Sequence, residues 1–415
     1  MMLPMTTRSS VAITGAYVVP VAAEPVRNGT VLIEDGVITA VGHDVAIPEG
    51  TPTVDGSGKW LLPGFVEAHG HIGTHEEGEG WAGNDTNEMT DPDGSALRAL
   101  DAVNIEDEGF HDALAGGVTS AVLKPGSGNP IGGQTIAIKT WGGRVIDEQV
   151  ISDSVSVKSA LGENPKRVYG DQQKQPSTRL GTAHVIRKAF VDARNYMARR
   201  DAAEAKGEPF ERNLGKEALA RVLAGELAWD QHTHRADDIA TAIRLSEEFG
   251  YRLVINHGTE GHLIADVLAE KDIPVIYGPM FVSRSKVEVR RRANVNIAKM
   301  AAAGVRVAIT TDHPVIPIDF LVHQASFAAR DGLPRETALA AITTNPASFL
   351  GLDDRVGAIR PGLDGDVVLW SGDPFDSDQR AERVFITGTE VYRWDHEADG
   401  GRGARRVVER TDRFA

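Results

Sequence analysis

Residues 61–71 read Leu-Leu-Pro-Gly-Phe-Val-Glu-Ala-His-Gly-His, an apolar run that ends in two histidines one residue apart. A short apolar run of this kind is consistent with a buried β-strand. Alternate side chains of an extended strand point to the same side, so His69 and His71 should project together. Two imidazoles on one face form half of a zinc-type site. The stretch therefore predicts a buried strand that carries two metal ligands to its end.

Three later segments repeat this arrangement of a strand that runs into a metal-binding side chain. Parallel strands of a (β/α)8 barrel open their carboxyl ends onto one face, where active sites lie. The same face would then collect His69 and His71 together with the side chains that follow the later strands. In each case the strand-like run ends directly before the candidate ligand: Leu227–Gln231 before His232, Arg252–Asn256 before His257, and Val305–Thr311 before Asp312.

The predicted secondary structure changes twice along the chain. Residues 1–62 contain short β-branched runs, residues 63–350 alternate strand-like runs with Ala-rich helical stretches, and residues 351–415 return to short strands. Strands that alternate with helices indicate βαβ units and a parallel sheet. We therefore predict an α/β fold: a (β/α)8 TIM-like barrel over 63–350, with a small β-sandwich domain formed by both termini. The DGGRGARR stretch at 399–406 reads as a tail.

Composition narrows the chemistry further. The 415 residues include 13 His and no Cys, which excludes disulfides, thiolate ligands and a cysteine nucleophile. A formal net charge of −15 disfavours nucleic acid as a partner. We see neither a secretory signal nor an apolar run long enough to span a membrane, so we expect a cytoplasmic protein without a membrane partner.

Five segments together resemble the amidohydrolase superfamily, near its imidazolonepropionase-related and prolidase-like branches. They span nearly the whole chain in the order of that family, and the last of them resembles the stretch by which these enzymes leave the barrel. The resemblance implies a metal-dependent hydrolase of carbon–nitrogen bonds on a TIM-like barrel. The segments are PGFVEAHGH (63–71), HTHRADDI (232–239), INHGTEGH (255–262), ITTDHP (309–314) and VGAIRPGLDGDVVLWSGDPF (356–375).

The resemblance also assigns roles to individual residues. His69 and His71 match the ligands of the more buried metal, and His232 and His257 match the ligands of a second one. Asp312 matches the aspartate that binds metal and shuttles protons. Lys158 is our candidate for the carboxylated lysine that bridges the two metals, with Lys124 and Lys139 as competitors on earlier strands. Nitrogen and oxygen donors suit two Zn²⁺ ions, with Mn²⁺, Fe²⁺ or Co²⁺ as alternatives.

The predicted reaction is hydrolysis of a non-peptide C–N bond, such as a cyclic amide, in a small-molecule substrate. Metal-activated water would attack, with Asp312 as the proton shuttle. A prolidase-like dipeptidase, a mononuclear deaminase and a catalytically silent scaffold stay open as alternatives. A homo-oligomer is the default expectation for a soluble enzyme. Candidate substrate contacts are His234, Asn164, Arg167, Arg179 and Arg235.

Overall fold

The computed structural model describes residues 8–398 and 403–408, and within them strands occupy both ends of the chain while helices and strands share the middle. The strands are β1 (Val11–Val18), β2 (Val26–Glu34), β3 (Val37–Gly42), β4 (Thr53–Asp55), β5 (Trp60–Pro63), β6 (Phe65–Gly70), β7 (Val118–Leu123), β8 (Ile131–Gln134), β9 (Ile136–Lys139), β10 (Val150–Ser152), β11 (Ser156–Ala160), β12 (Ala228–Thr233), β13 (Leu253–His257), β14 (Val275–Tyr277), β15 (Val307–Ile309), β16 (Val367–Trp370), β17 (Ala381–Ile386), β18 (Thr389–Asp395) and β19 (Ala404–Val407).

Ten α-helices lie between β6 and β16 in this part of the chain. They are α1 (Gly109–Ala115), α2 (Glu163–Asp171), α3 (Arg179–Lys206), α4 (Leu214–Leu223), α5 (Ala236–Phe249), α6 (Ala265–Glu270), α7 (Val295–Ala302), α8 (Leu321–Arg330), α9 (Arg335–Ala340) and α10 (Thr344–Phe349). Short 3₁₀ turns cover Ala99–Ala102, Ile146–Glu148, Gly261–Leu263, Val287–Val289 and Ile318–Phe320. Within residues 8–398 and 403–408, none of the helices has the length and apolar character that a membrane span requires.

The two ends of the chain form one nine-stranded sheet. Its order is β19-β18-β17-β16-β5-β1-β2-β3, and β4 pairs with β1. Strand β5 joins the two halves, because it runs parallel to β1 and antiparallel to β16 with Trp60 opposite Trp370. The predicted tail is wrong for residues 404–406, which belong to β19 (Ala404–Val407) and pair with β18. Residues 399–402 of that tail lie outside the described residues.

The middle of the chain forms a four-stranded sheet and a six-stranded sheet. The first has the order β10-β9-β7-β6 and the second β15-β14-β13-β12-β11-β8. Strands β11 to β15 are parallel, and each of them is fully buried, as expected for a sheet covered on both faces. The mixed α/β architecture predicted from sequence is confirmed.

One stretch departs from the predicted parallel order. Strand β9 is antiparallel to β7, and β8 is antiparallel to β11. The two strands are separated only by Thr135, whose N–H donates to the Ser156 oxygen at 3.0 Å. Parallel neighbours require a crossover of a dozen or more residues, whereas residues 124–130 provide a short connection without a helix. The chain therefore reverses its direction between β7 and β8.

A buried ionic cluster ties the middle of the chain to the nine-stranded sheet. Lys139 on β9 lies 2.8 Å from Asp364 and 2.6 Å from Asp366, and all three side chains are nearly or fully buried. Asp366 also accepts the Thr387 N–H at 2.9 Å. Removing one partner of a buried ion pair costs several kcal/mol of stability, because it leaves an unpaired charge in the interior. This cluster therefore fixes the position of the segment before β16 against β9.

Candidate metal centre

Two histidines and an aspartate converge at the carboxyl ends of β6 and β15. Asp312 Oδ1 lies 3.2 Å from His69 Nε2 and 3.3 Å from His71 Nε2. The three ligand atoms lie within 4.8 Å of one another, and the residues belong to two different strand ends. This placement matches the His-x-His pattern, in which residues 69 and 71 project to the same side.

The opposite nitrogen of each imidazole is held by an oxygen atom. His69 Nδ1 lies 2.8 Å from Asn256 Oδ1, and His71 Nδ1 lies 2.7 Å from the Lys124 backbone oxygen. A backbone oxygen only accepts, and Asn256 Oδ1 also accepts from Lys124, so each Nδ1 carries the hydrogen and donates. Nε2 is then the atom of each ring that is available to a metal, and both Nε2 atoms lie beside the Asp312 carboxylate. Three acceptors that meet in this way suit a bound cation.

Two further histidines lie against this group. The His257 ring centroid lies 5.1 Å from that of His69 and 4.5 Å from that of His232. His257 Nδ1 lies 2.8 Å from the Gly278 oxygen and donates to it, which leaves Nε2 as the ligand atom. His232 Nδ1 is buried without a hydrogen-bond partner among the described residues. His232 Nε2 accepts from Asn164 Nδ2 at 3.3 Å, so the lone pair of the neutral ring lies on Nε2, and two adjacent imidazoles with free lone pairs fit a second cation.

Lys158 is the lysine that reaches this cluster. Its Nζ lies 3.3 Å from His69 Nε2 and 3.1 Å from the Pro125 oxygen, at a fully buried position on β11. Burial lowers its pKa to about 8. Lys124 instead donates to Asp230 at 2.5 Å, and Lys139 belongs to the ionic cluster described above. Of the three candidate lysines, only Lys158 has no carboxylate within 4.0 Å in the described part of the chain.

Burial also sets the protonation of the histidines. It lowers the pKa of His69, His232 and His234 well below the usual value, and that of His257 to about 4. Burial acts to raise the Asp312 pKa, but the hydrogen bond with His71 and the neighbouring positive groups lower it overall. At neutral pH the imidazoles of His69, His232 and His257 are therefore neutral and the Asp312 carboxylate is ionised, and these are the metal-binding forms.

Two of these residues adopt backbone angles that non-glycine residues rarely take. The φ angle is +69° at His257 and +55° at Asp312. Such conformations cost about 1–3 kcal/mol each and cluster at functional sites. At Asp312 the conformation is held by Thr310, whose Oγ1 accepts the Asp312 N–H at 3.0 Å and donates to the His69 oxygen at 2.7 Å. The strand end that carries Asp312 is thereby fixed to the strand end that carries His69.

A buried carboxylate reinforces the same connection. Glu67 accepts the His69 N–H at 3.0 Å through Oε1 and the Thr311 hydroxyl at 2.6 Å through Oε2. Burial raises the Glu67 pKa, although its hydrogen bonds act in the opposite direction. Glu67 thus positions the backbone on both sides of the His69–Asp312 contact.

The predicted substrate contacts fall into two groups. Asn164 Nδ2 lies 3.3 Å from His232 Nε2, and the His234 ring lies 4.8 Å from that of His232, so both border the cluster. Arg167 is exposed on α2. Arg179 is ion-paired with Asp238 and Glu288, and Arg235 with Asp237. Both of these guanidinium groups are therefore already neutralised by carboxylates of the chain.

Several polar groups around the cluster were not predicted. Asn256 joins His69 to the Lys124–Asp230 pair, and Lys286 donates to Asn164 Oδ1 at 3.2 Å. For Asn256 the sequence did hold a signal, because it is a polar residue that directly follows the apolar residues 253–255 of β13. Lys286 offers no such signal, since it lies in a polar segment between β14 and α7.

The chain is similar to known proteins along most of its length. A model described as the amidohydrolase family matches residues 216–392. The crystal structure of an amidohydrolase from Thermotoga maritima MSB8 is 46% identical, covers 92% of this chain and 100% of its own, and superposes with a TM-score of 0.90. Amidohydrolase tasK of Hapsidospora irregularis is 30% identical over a match that covers 88% of this chain and 40% of the length of tasK. The imidazolonepropionase of Acidiphilium cryptum is 28% identical, covering 85% of this chain and 89% of its own.

Proposed function

Since this chain belongs to the amidohydrolase family and is a hydrolase that acts on carbon–nitrogen bonds, we propose that it uses divalent metal to hydrolyse a non-peptide C–N bond. The observation that carries the proposal is the convergence of ligand side chains from four strand ends. His69, His71 and Asp312 meet from one side, and the His232 ring lies 4.5 Å from that of His257 on the other. A cyclic amide is the substrate type that we favour.

Two metal ions fit the donor set. His69, His71 and Asp312 would hold one, and His232 and His257 the other, with zinc favoured by imidazole and carboxylate donors and Mn²⁺, Fe²⁺ or Co²⁺ as alternatives. Lys158 would bridge them once carboxylated. Its neutral amine adds to carbon dioxide and loses one proton, which gives a carbamate with one negative charge. A pKa of about 8 leaves a useful fraction of that amine neutral at physiological pH.

Residues of the chain would have separate roles in the reaction, namely proton transfer and substrate orientation. A bound divalent metal would supply two effects: it would polarise the substrate carbonyl, and it would lower the pKa of water from about 15.7 toward about 7. Asp312 is ionised and its side chain is 18% exposed, against 1% for His69, so its carboxylate can accept the proton of the attacking water. It then returns that proton to the leaving nitrogen. His234 and Asn164 border the cluster where a substrate would be oriented.

We further infer that the two central sheets close into a (β/α)8 barrel in which β8 and β9 form one antiparallel position. Support comes from the hydrogen bonds between the ends of β6 and β15, namely His71 N–H to the His313 oxygen at 3.0 Å and Thr310 Oγ1 to the His69 oxygen. The barrel would span 63–350, with a small β-sandwich domain from 1–62 and 351–415.

A substrate screen tests the proposed reaction. The purified, metal-loaded protein is offered lactams, imidazolones, N-acyl amino acids and dipeptides, with Asp312→Asn as the inactive control. The imidazolonepropionase relative is the reason for including imidazolones. Hydrolysis of lactams or imidazolones that is lost in the control supports the proposal. Cleavage of dipeptides alone would favour a prolidase-like enzyme, release of ammonia with one metal a deaminase, and no metal or turnover a silent scaffold.

A further inference from the structure

Lys286 lies at the same edge of the sheet as the ligand cluster. It follows β14, whose neighbours β13 and β15 carry His257 and lead to Asp312. Its side chain is partly buried, and Nζ donates to Asn164 Oδ1 at 3.2 Å. The amide of Asn164 in turn lies 3.3 Å from His232 Nε2. A single amide group therefore separates the Lys286 ammonium from a candidate ligand.

Among the described residues, no carboxylate forms a direct ion pair with this ammonium. Within residues 8–398 and 403–408, no carboxylate oxygen comes within 4.0 Å of Lys286 Nζ. Glu288 is near in sequence, but its carboxylate contacts Arg179 at 2.6 Å and accepts the Glu163 N–H at 2.8 Å. An ammonium has three donors, and the contact to Asn164 uses one of them. Lys286 thus keeps donors for a ligand.

Charged groups of both signs act on Lys286. Burial lowers its pKa, the Glu288, Glu163 and Asp312 carboxylates oppose this, and the Arg167 guanidinium acts in the same direction as burial. Lys286 is the cation that contacts Asn164 directly. The chain as a whole carries a formal charge of −15, so an anionic ligand would need such a local cation to be held.

We propose that Lys286 binds the carboxylate of the substrate and selects amides that carry a negative group close to the scissile C–N bond, an inference that rests on the proposed hydrolytic function. A charge-assisted hydrogen bond to a carboxylate is short and strong, and a partly buried site screens it less than open solvent does. Asn164 positions the ammonium at the rim of the cluster. Lys286 is thus a specificity residue and takes no part in the proton transfers.

The test compares matched probes that differ only in charge. N-acetyl-L-alanine and N-acetyl-L-phenylalanine carry a carboxylate, and their primary amides are neutral. The metal-loaded full chain is assayed as wild type, K286Q, K286R and K166Q, where Lys166 is an exposed lysine on α2 that serves as the matched control. For the carboxylate probes we expect KM to rise about 10- to 100-fold in K286Q with kcat little changed. For the neutral amide probes, K286Q should have almost the same KM as the wild type. For the carboxylate probes, K286R and K166Q should have almost the same KM as the wild type.

Calorimetric titration of the same probes separates this inference from the proposed reaction. If the carboxylate probes bind and K286Q weakens their binding at least about tenfold, while neither these probes nor the lactams and imidazolones of the substrate screen are hydrolysed, the proposed reaction fails and the Lys286 site stands. If amides are hydrolysed but K286Q affects charged and neutral probes equally, the Lys286 inference is overturned and the reaction stands. Absence of any carboxylate binding to the wild type also overturns it.

Discussion

Replacing Lys158 with methionine should stabilise the metal-free protein while it removes activity. Lys158 is fully buried, and its pKa falls from 10.5 to about 8 chiefly because burial penalises the charged form. That difference corresponds to about 3 kcal/mol at neutral pH. Methionine has a similar shape and carries no charge, but it forfeits the contacts to Pro125 and His69, worth about 1 kcal/mol together or slightly more. The net expectation is a free energy of unfolding higher by about 1–2 kcal/mol.

The pH dependence of that gain gives the sharper test. Below about pH 8 Lys158 is charged in both the folded and the unfolded chain. The wild type then pays the full free-energy cost of burying this charge, which lowers its free energy of unfolding. Between pH 8 and 10.5 the folded state loses the proton first, and the penalty is relieved. The stability difference between K158M and wild type, measured by urea unfolding in metal-free buffer without carbon dioxide, should therefore shrink over that range. K166M, at an exposed lysine on α2, should show no such trend. A difference independent of pH, or a destabilised K158M at pH 7, would refute the reasoning.

Three other substitutions test separate parts of the structure. Asp312→Asn should lower kcat at least about 100-fold with an unchanged unfolding midpoint, because the proton acceptor is lost; near-normal kcat would contradict its role. Asn256→Ala removes the acceptor of His69 Nδ1 and should weaken zinc affinity about 10- to 100-fold in a competition titration, and unaltered affinity would show that this contact is dispensable. Lys139→Met leaves Asp364 and Asp366 without their buried cation and should cost about 3–5 kcal/mol in urea unfolding, whereas Lys59→Met, at a partly exposed ion pair, should cost about 1 kcal/mol or less; equal effects would count against the buried cluster.

Local patterns in the sequence were sufficient to locate most elements of the fold. The strands predicted before His232 and His257 are found as β12 and β13, and each begins one residue later than predicted and extends past the predicted end. The reversed β8–β9 segment was not predicted. Strand direction depends on how the chain connects across space, and apolar runs such as Ile136–Lys139 carry no direction.

The candidate site shows the same division between local and long-range information. His69, His71 and Asp312 follow strand periodicity and strand ends, so a topology with shared carboxyl ends is enough to bring them together. Lys286 and Asn164 meet across 122 positions of the chain. Pairing at such a separation is set by the packed loops and not by any spacing in the sequence.

Metal analysis of the full chain tests the proposed metal centre most directly. After loading with zinc and removal of excess metal, the wild type should retain about two equivalents per chain, as should His184→Gln, at an exposed histidine on α3. Combined replacement of His69 and His257 by glutamine removes one imidazole from each proposed ligand group and should abolish tight binding. A wild type that retains no zinc, or a double variant that retains as much as the wild type, would contradict the assignment.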